Sequence, residues 1–398
     1  MKFERGAVTP VFYIFKSSEG DNEVNDSEKK ELNELLQRLI QIKSVNPTGN
    51  EDGIANFIKE FLLKNDIPSK LIPLEEGRSS VVAKIEGKEE RNITLCGHLD
   101  TVRVIEEDWS KPPFQGLIEE GKMYGRGTAD MKGGVAAIIY TLILLKRRGI
   151  TPQKKVQLAL TADEEWGYRG VKTLVDQEFF DQTDFLIITE PTNLQVAVGE
   201  KGEVWIKAKF YGKSAHGSTP ELGVNTVVPG SKFVLEVSEE YKKLFNPDPL
   251  WGNNSVNIGQ FHGGVQVNVV PNYSEVQLDF RIISEEDKKR ALELVRKKGQ
   301  DIAEKFGVQF KEEIFNCHPP IFTSLDNLYI QKFMQVAGVK EATIVKYCTD
   351  GGTIVPAKKM PFIIFGPGDI AQAHQNDEYI ELESLYQSVD TFLEFLKS

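Results

Sequence analysis

The chain has 398 residues, 40% hydrophobic and 27% charged, and its 59 acidic against 48 basic residues give a formal net charge of −11. That balance, with no basic stretch longer than Lys146-Arg147-Arg148, argues against nucleic acid as a partner. Three scattered cysteines exclude a disulfide framework or a thiolate zinc site, and the longest apolar run, Val135 to Leu145, falls short of the roughly 20 residues of a membrane span. The length predicts two or three domains.

Near the N-terminus, Lys2 and Arg5 precede "AVTPVFYIF", but Pro10 interrupts the run and no small-residue cleavage site follows. Residues 1–24 therefore read as an extra tail rather than a leader, and a cytoplasmic enzyme is expected. Helical periodicity begins with Leu32, Leu35, Leu36, Leu39 and Ile40, with Asp26 or Ser27 as the expected cap. A second helix carries Ile54, Phe57, Ile58, Phe61 and Leu62. "SSVVAKIEG" and "NITLCG" read as strands. "GGVAAIIYTLILLKRRG" reads as a buried helix closed by Gly149. "KKVQLALTA", "DFLIITE" and "MPFIIFG" add further strands. Strands alternating with helices predict an α/β sheet with helices on both faces.

The middle of the chain follows another pattern. "EVWIKAKFYG" alternates, a helix spans about 224–244, two alternating strands follow, and a charged helix from Glu285 precedes "VQFKEEI". The order β-α-β-β-α-β is ferredoxin-like. It predicts an inserted domain at 201–313 within a catalytic domain made of 25–200 and 314–398.

Acids and imidazoles fall where strands end. His98 and Asp100 follow one strand, Asp163, Glu164 and Glu165 another, and Glu190 a third; His374 lies in a loop after "PFIIF", and Asp130 at the entry to the buried helix. In open α/β sheets, ligands bind at the carboxyl ends of strands. Two histidines and several carboxylates without cysteine suit a divalent metal, and two ions about 3.5–4 Å apart would account for so many acids. Any one such segment taken alone reads as a solvated loop tip.

"GHLDTV", "GRGTADMKGG", "TADEEWG", "TEPT", "GKSAHGSTPELGVN" and "NVVPN", in this order, resemble the M20 metallopeptidase and deacylase family. The resemblance runs from about Ser27 onward. It implies a di-metal catalytic domain holding two zinc ions, with cobalt as the alternative, and an inserted ferredoxin-like domain that makes a homodimer. His98 and Glu190 then resemble ligands of one ion, Glu165 and His374 of the other, and Asp130 the bridge, with a cis bond to Met131. Glu164 resembles the general base and Asp100 the residue that orients His98. His216 resembles the oxyanion donor, supplied from the opposite subunit. Arg281 resembles the clamp for a substrate carboxylate, and Asn268 a substrate-binding residue. Gly351 and Gly352, in "TDGGT", resemble a glycine-rich loop beside the substrate. Without the resemblance, His216 reads as a surface histidine and Arg281 as an ion-pair residue.

Other features carry no site. "GPGDIA" imitates a dinucleotide fingerprint, but too little chain follows for the βαβ unit it requires. His262 and His318 read as structural, Cys96 as a small hydrophobe in the sheet, and no GxSxG elbow is present. The expected activity is release of the acyl group from an N-acyl amino acid, in the manner of acetylornithine deacetylase and succinyl-diaminopimelate desuccinylase. A metallocarboxypeptidase or dipeptidase on the same scaffold is the alternative within the class. A non-catalytic metal-binding or scaffolding relative is the alternative outside it.

Overall fold

The computed structural model describes residues 23–47 and 49–397. The expected tail falls outside these residues except at its end, where Val24 is buried and its amide donates to Asp390 at 2.9 Å. The cap of the first helix, Asp26–Gln41, is Asn25 rather than Asp26 or Ser27. Its side chain accepts from the amides of Ser27 and Glu28, while the Glu28 carboxylate accepts from the Asn25 amide at 2.9 Å. Reciprocal bonding of this kind satisfies amides that a bare helix start leaves orphaned. The helix buries the five residues its spacing marks.

The main sheet has nine strands among the described residues. Along its path lie Ser69–Glu75, Arg78–Ile85, Lys154–Thr161, Glu89–His98, Thr183–Ile188, Phe362–Ile364, Ala197–Glu200 and Ile321–Phe322, and Thr343–Val345 pairs with Ala197–Glu200. The central four, from Lys154–Thr161 to Phe362–Ile364, are parallel. Their register sets His98 opposite Thr161 and Cys96 opposite Ile188, so the expected acid-bearing loops leave from one rim.

Helix Gly133–Arg147 lies against this sheet and the C-terminal helix Leu382–Lys397. Its residues from Gly133 to Leu145 are all buried, as befits a helix apolar all round. With the turn before it, Thr128–Arg147 is long and apolar enough to cross a membrane, yet residues 128–145 are all buried within the protein. Gly134 allows its close approach, because a Cβ there would stand 2.1 Å from the Thr189 carbonyl oxygen.

The inserted segment forms its own antiparallel sheet, ordered Ser255–Gly263, Tyr273–Ile282, Gly202–Tyr211, Gln309–His318. Helices Val227–Leu244 and Glu285–Phe306 cover its apolar face around Val204, Ile206, Phe210, Phe233, Leu278 and Phe280. The element order is the expected one, but the last strand runs on to His318, past 313. The fold class is thus α/β with an inserted α+β unit. A small third sheet joins Leu117–Glu119, Lys122–Tyr124 and Tyr379–Glu381.

Candidate metal centre

Five loops at the rim bring the expected acids and imidazoles together. His98 ends its strand, and Asp130 sits in the turn Thr128–Lys132 that enters the buried helix. The Asp130–Met131 bond is cis. Asp130 reaches both histidines: Oδ1 is 3.1 Å from His98 Nε2, and Oδ2 is 3.3 Å from His374 Nε2. Glu190 Oε1 lies 3.7 Å and Glu164 Oε2 4.0 Å from His98 Nε2, and Glu165 Oε2 lies 3.2 Å from His374 Nε2. Two triplets result, His98–Asp130–Glu190 and Asp130–Glu165–His374, each with its donor atoms within 4.8 Å of one another.

The charges explain what this cluster needs. Burial works against a charge on His98, but its bond to Asp130 and the nearby Glu190 and Glu164 raise its pKa well above the ordinary value. Hydrogen bonds to Asp130 and Glu165 lift His374 to about 10, against burial. Burial, then the bonds from His374 and His98, act on Asp130, and the histidines prevail, holding it below the usual carboxylate range. Burial raises Glu164 and Glu190 well above that range, His98 opposes, and neighbouring carboxylates add to the rise. The nearby Lys132 ammonium donates to the carbonyls of Leu39 and Ile42, at 3.0 and 2.9 Å, instead of to these acids. Excess buried negative charge held by nitrogen and oxygen donors, with no thiolate, fits divalent cations of the borderline-to-hard kind.

Asp100 meets His98 through its main chain. The His98 Nδ1–H donates to the main-chain carbonyl of Asp100 at 3.0 Å, which leaves Nε2 facing the cluster. The Asp100 carboxylate is 3.6 Å from Nδ1 and instead accepts from the amides of Glu164 and Glu165, at 3.1 and 3.0 Å. It therefore shapes the turn that presents both glutamates.

Several supporting residues escaped the sequence reading. Asn46 donates to Asp100 at 2.8 Å and to Asp163 at 3.0 Å, and buried Arg78 bridges Glu51 and Asp163. Asp350, pushed up to about 6 by burial, accepts from Thr161 Oγ1, and its Oδ1 has no hydrogen-bond partner among the described residues. Nothing in local spacing marks these residues, because their partners lie far away in sequence.

The remaining expected residues lie apart from this cluster or are already engaged. His216 is exposed and hydrogen-bonded to Ser218 at 2.7 Å, and none of its bonds reaches the acids. Asn268 is also exposed, and its carbonyl accepts from the Gly217 amide at 2.7 Å. Arg281 pairs with Glu203 at 2.6 Å and Asp279 at 3.0 Å, so its fork is occupied. Gly351 and Gly352 are not a loop: they begin helix Gly351–Lys358. Both are buried, and a Cβ on Gly352 would stand 3.0 Å from Glu200 Oε1 and 3.3 Å from His318 Nδ1, so their smallness serves internal packing. His318 is buried with its ring 4.5 Å from that of Tyr168, His262 bonds Gln260, and Cys96 packs in the sheet.

Comparison with known proteins agrees with this geometry. The chain is 30% identical over 396 residues to a probable succinyl-diaminopimelate desuccinylase of Staphylococcus epidermidis, covering 92% of this chain and 96% of that protein. It is 29% identical to an acetylornithine deacetylase of Photorhabdus laumondii, covering 88% and 92%. A tripeptidase structure from Staphylococcus aureus shares the fold, with a TM-score of 0.78 at 24% identity over 93% of this chain and 98% of that one. Residues 94–398 match the profile of Peptidase family M20/M25/M40. The chain is a hydrolase of a metal-dependent kind, and it belongs to that family.

Proposed function

We propose that the chain removes the acyl group from N-acyl amino acids at a pair of divalent ions, zinc or else cobalt. The observation that carries this reading is the double reach of Asp130, one oxygen toward each histidine. His98, Asp130 and Glu190 would hold one ion, and Asp130, Glu165 and His374 the other. When bound, the ions would polarise the amide carbonyl and acidify a water.

The chain's own groups do the rest. Glu164, buried and held by the Asp100 carboxylate through its amide, takes the proton of the attacking water and passes it to the leaving amine. His98 is kept in one tautomer by the Asp100 carbonyl. His216 donates to the oxyanion from the inserted domain of a second subunit, since it is exposed and its ring bonds locally, to Ser218, which suits a dimer that completes the site. Asn268, whose carbonyl bonds the His216 loop at Gly217, binds substrate beside it. Arg281 clamps the substrate carboxylate by exchanging it for one of its two acid partners. The names of the relatives support an acyl-amino-acid substrate.

The test is hydrolysis by chelator-stripped protein with and without zinc or cobalt. The panel holds N-acetyl and N-succinyl amino acids, among them acetylornithine and succinyl-diaminopimelate, beside dipeptides. Metal-restored release from an N-acyl substrate is expected. Activity confined to dipeptides would overturn the acyl reading in favour of a peptidase.

A further inference from the structure

Glu378 lies four residues beyond His374, is fully buried, and has both carboxylate oxygens engaged by donors. Oε2 accepts from Arg126 Nη1 at 2.6 Å and from the Gly127 amide at 3.0 Å. Oε1 accepts from the amides of Ala129 and Asp130, at 2.8 and 3.1 Å. The Glu378 carbonyl also accepts from the Gly125 amide at 2.8 Å. One residue of the His374 loop thus grips the turn 125–130 that presents Asp130.

The grip matters because of how His374 is held. Its side chain is 53% exposed, and among the described residues its bonds run to Asp130 and Glu165. Its position comes from its loop, which is pinned at Asp377, where Oδ1 accepts from the amides of Ser110 and Lys111 at 2.9 Å, and at Glu378. A salt bridge with Arg126 alone would need neither of the amides bound to Oε1. We infer that Glu378 is a positioning residue that sets the separation of Asp130 from His374, and with it the geometry of the second ion's site. This rests on the two-metal reading proposed above.

Glu378→Gln tests it, because the amide keeps the shape of the side chain but turns an NH2 group toward two N–H donors. Stripped full-length wild type, Glu378→Gln, Glu378→Asp and Val389→Ala are titrated with Co2+ and Zn2+ by calorimetry, with the Co2+ absorption spectrum and Tm recorded. Val389 is buried on the C-terminal helix and serves as a control for lost stability alone. The second equivalent should bind at least roughly tenfold more weakly to Glu378→Gln, as for other groups that orient metal ligands. The Co2+ spectrum should change, and kcat should fall with KM little altered. Val389→Ala should lose Tm with an unchanged titration.

A folded Glu378→Gln chain that takes up two ions with wild-type affinity and spectrum would overturn the inference, whatever its Tm. If Gln prevents folding, Glu378→Asp is read by the same criteria. Failure of both to fold with metal present would overturn it in favour of a purely structural role. A wild type that binds two ions but hydrolyses no acyl substrate defeats the proposed substrate and leaves the binding arms decisive. A wild type that binds none overturns both.

Discussion

The rim of the nine-stranded sheet and the inserted four-stranded unit hold their candidate residues in opposite conditions. At the rim, His98, Asp130, Glu164 and Glu190 are buried, His98 Nε2 bonds Asp130 and lies within 4.0 Å of the other two acids, and further carboxylates behind them bond main-chain amides. In the inserted unit, His216 and Asn268 are exposed, and Arg281 is spent on two acids of its own unit. The first arrangement is complete within one chain. The second leaves His216 and Asn268 on the outside of their unit. The difference teaches that charge can be concentrated only where a rigid scaffold keeps it in place, whereas groups that meet substrate or a second subunit must stay accessible.

Breaking the rim should have the largest effect. Glu164→Gln should lower turnover by roughly 10²–10⁴-fold, the usual worth of a general base, with metal uptake unchanged; near-normal turnover would remove Glu164 from that role. His216→Ala should cost roughly 10²–10³-fold in kcat, as for an oxyanion donor, without changing metal content. Mixing inactive Glu164→Gln and His216→Ala chains sharpens the contrast. Heterodimers should regain activity if His216 serves the opposite subunit, and subunit exchange without recovery would break the crossed arrangement.

Arg281→Lys should act more gently, raising KM by roughly tenfold with kcat nearly kept, because a lysine cannot reproduce the bidentate fork. A wild-type KM would leave Arg281 as a partner of Glu203 and Asp279 only.

The smallest effect lies at the seam between the two regions. Glu200, the last residue of its rim strand, has its carboxyl pushed from 4.5 up to about 8 by burial. The folded chain therefore keeps a proton that the unfolded chain has already released. Stability from this group is present below about 4.5 and is lost as pH rises toward 8. Glu200→Gln should match wild type near pH 5 and gain on the order of 1 kcal/mol or more by pH 9, seen as a few degrees in Tm. A Tm difference independent of pH would show that this carboxyl does not titrate with folding.

Much of the rim was legible because two rules met there. Period-2 strands locate their own ends, and parallel sheets gather those ends on one side, so His98, Glu164, Glu165, Glu190 and His374 could be grouped before any coordinates. Asp100 was half legible: its neighbourhood to His98 is local, but its bonds to Glu164 and Glu165 come from a loop 64 residues away. Asn46, Asp350 and Glu378 were illegible for the same reason, since a side chain whose hydrogen-bond partners lie far away in sequence has no periodicity. The strands Ala197–Glu200, Ile321–Phe322 and Thr343–Val345 are too short to show alternation. "TDGGT" resembles a glycine-rich loop, whereas here Gly351 and Gly352 open a helix and pack closely against Ile188, Glu200 and His318.

The helix Gly133–Arg147 has a consequence for how the chain is made. Its covering helix, Leu382–Lys397, is synthesised only after residues 148–381, so the helix waits through that interval without this part of its lid. During that interval a stretch fit to enter a bilayer is open to water, neighbouring chains and chaperones. The order in which the polypeptide emerges thus becomes a selective pressure on the same helix that follows the turn carrying the acid shared by both histidines.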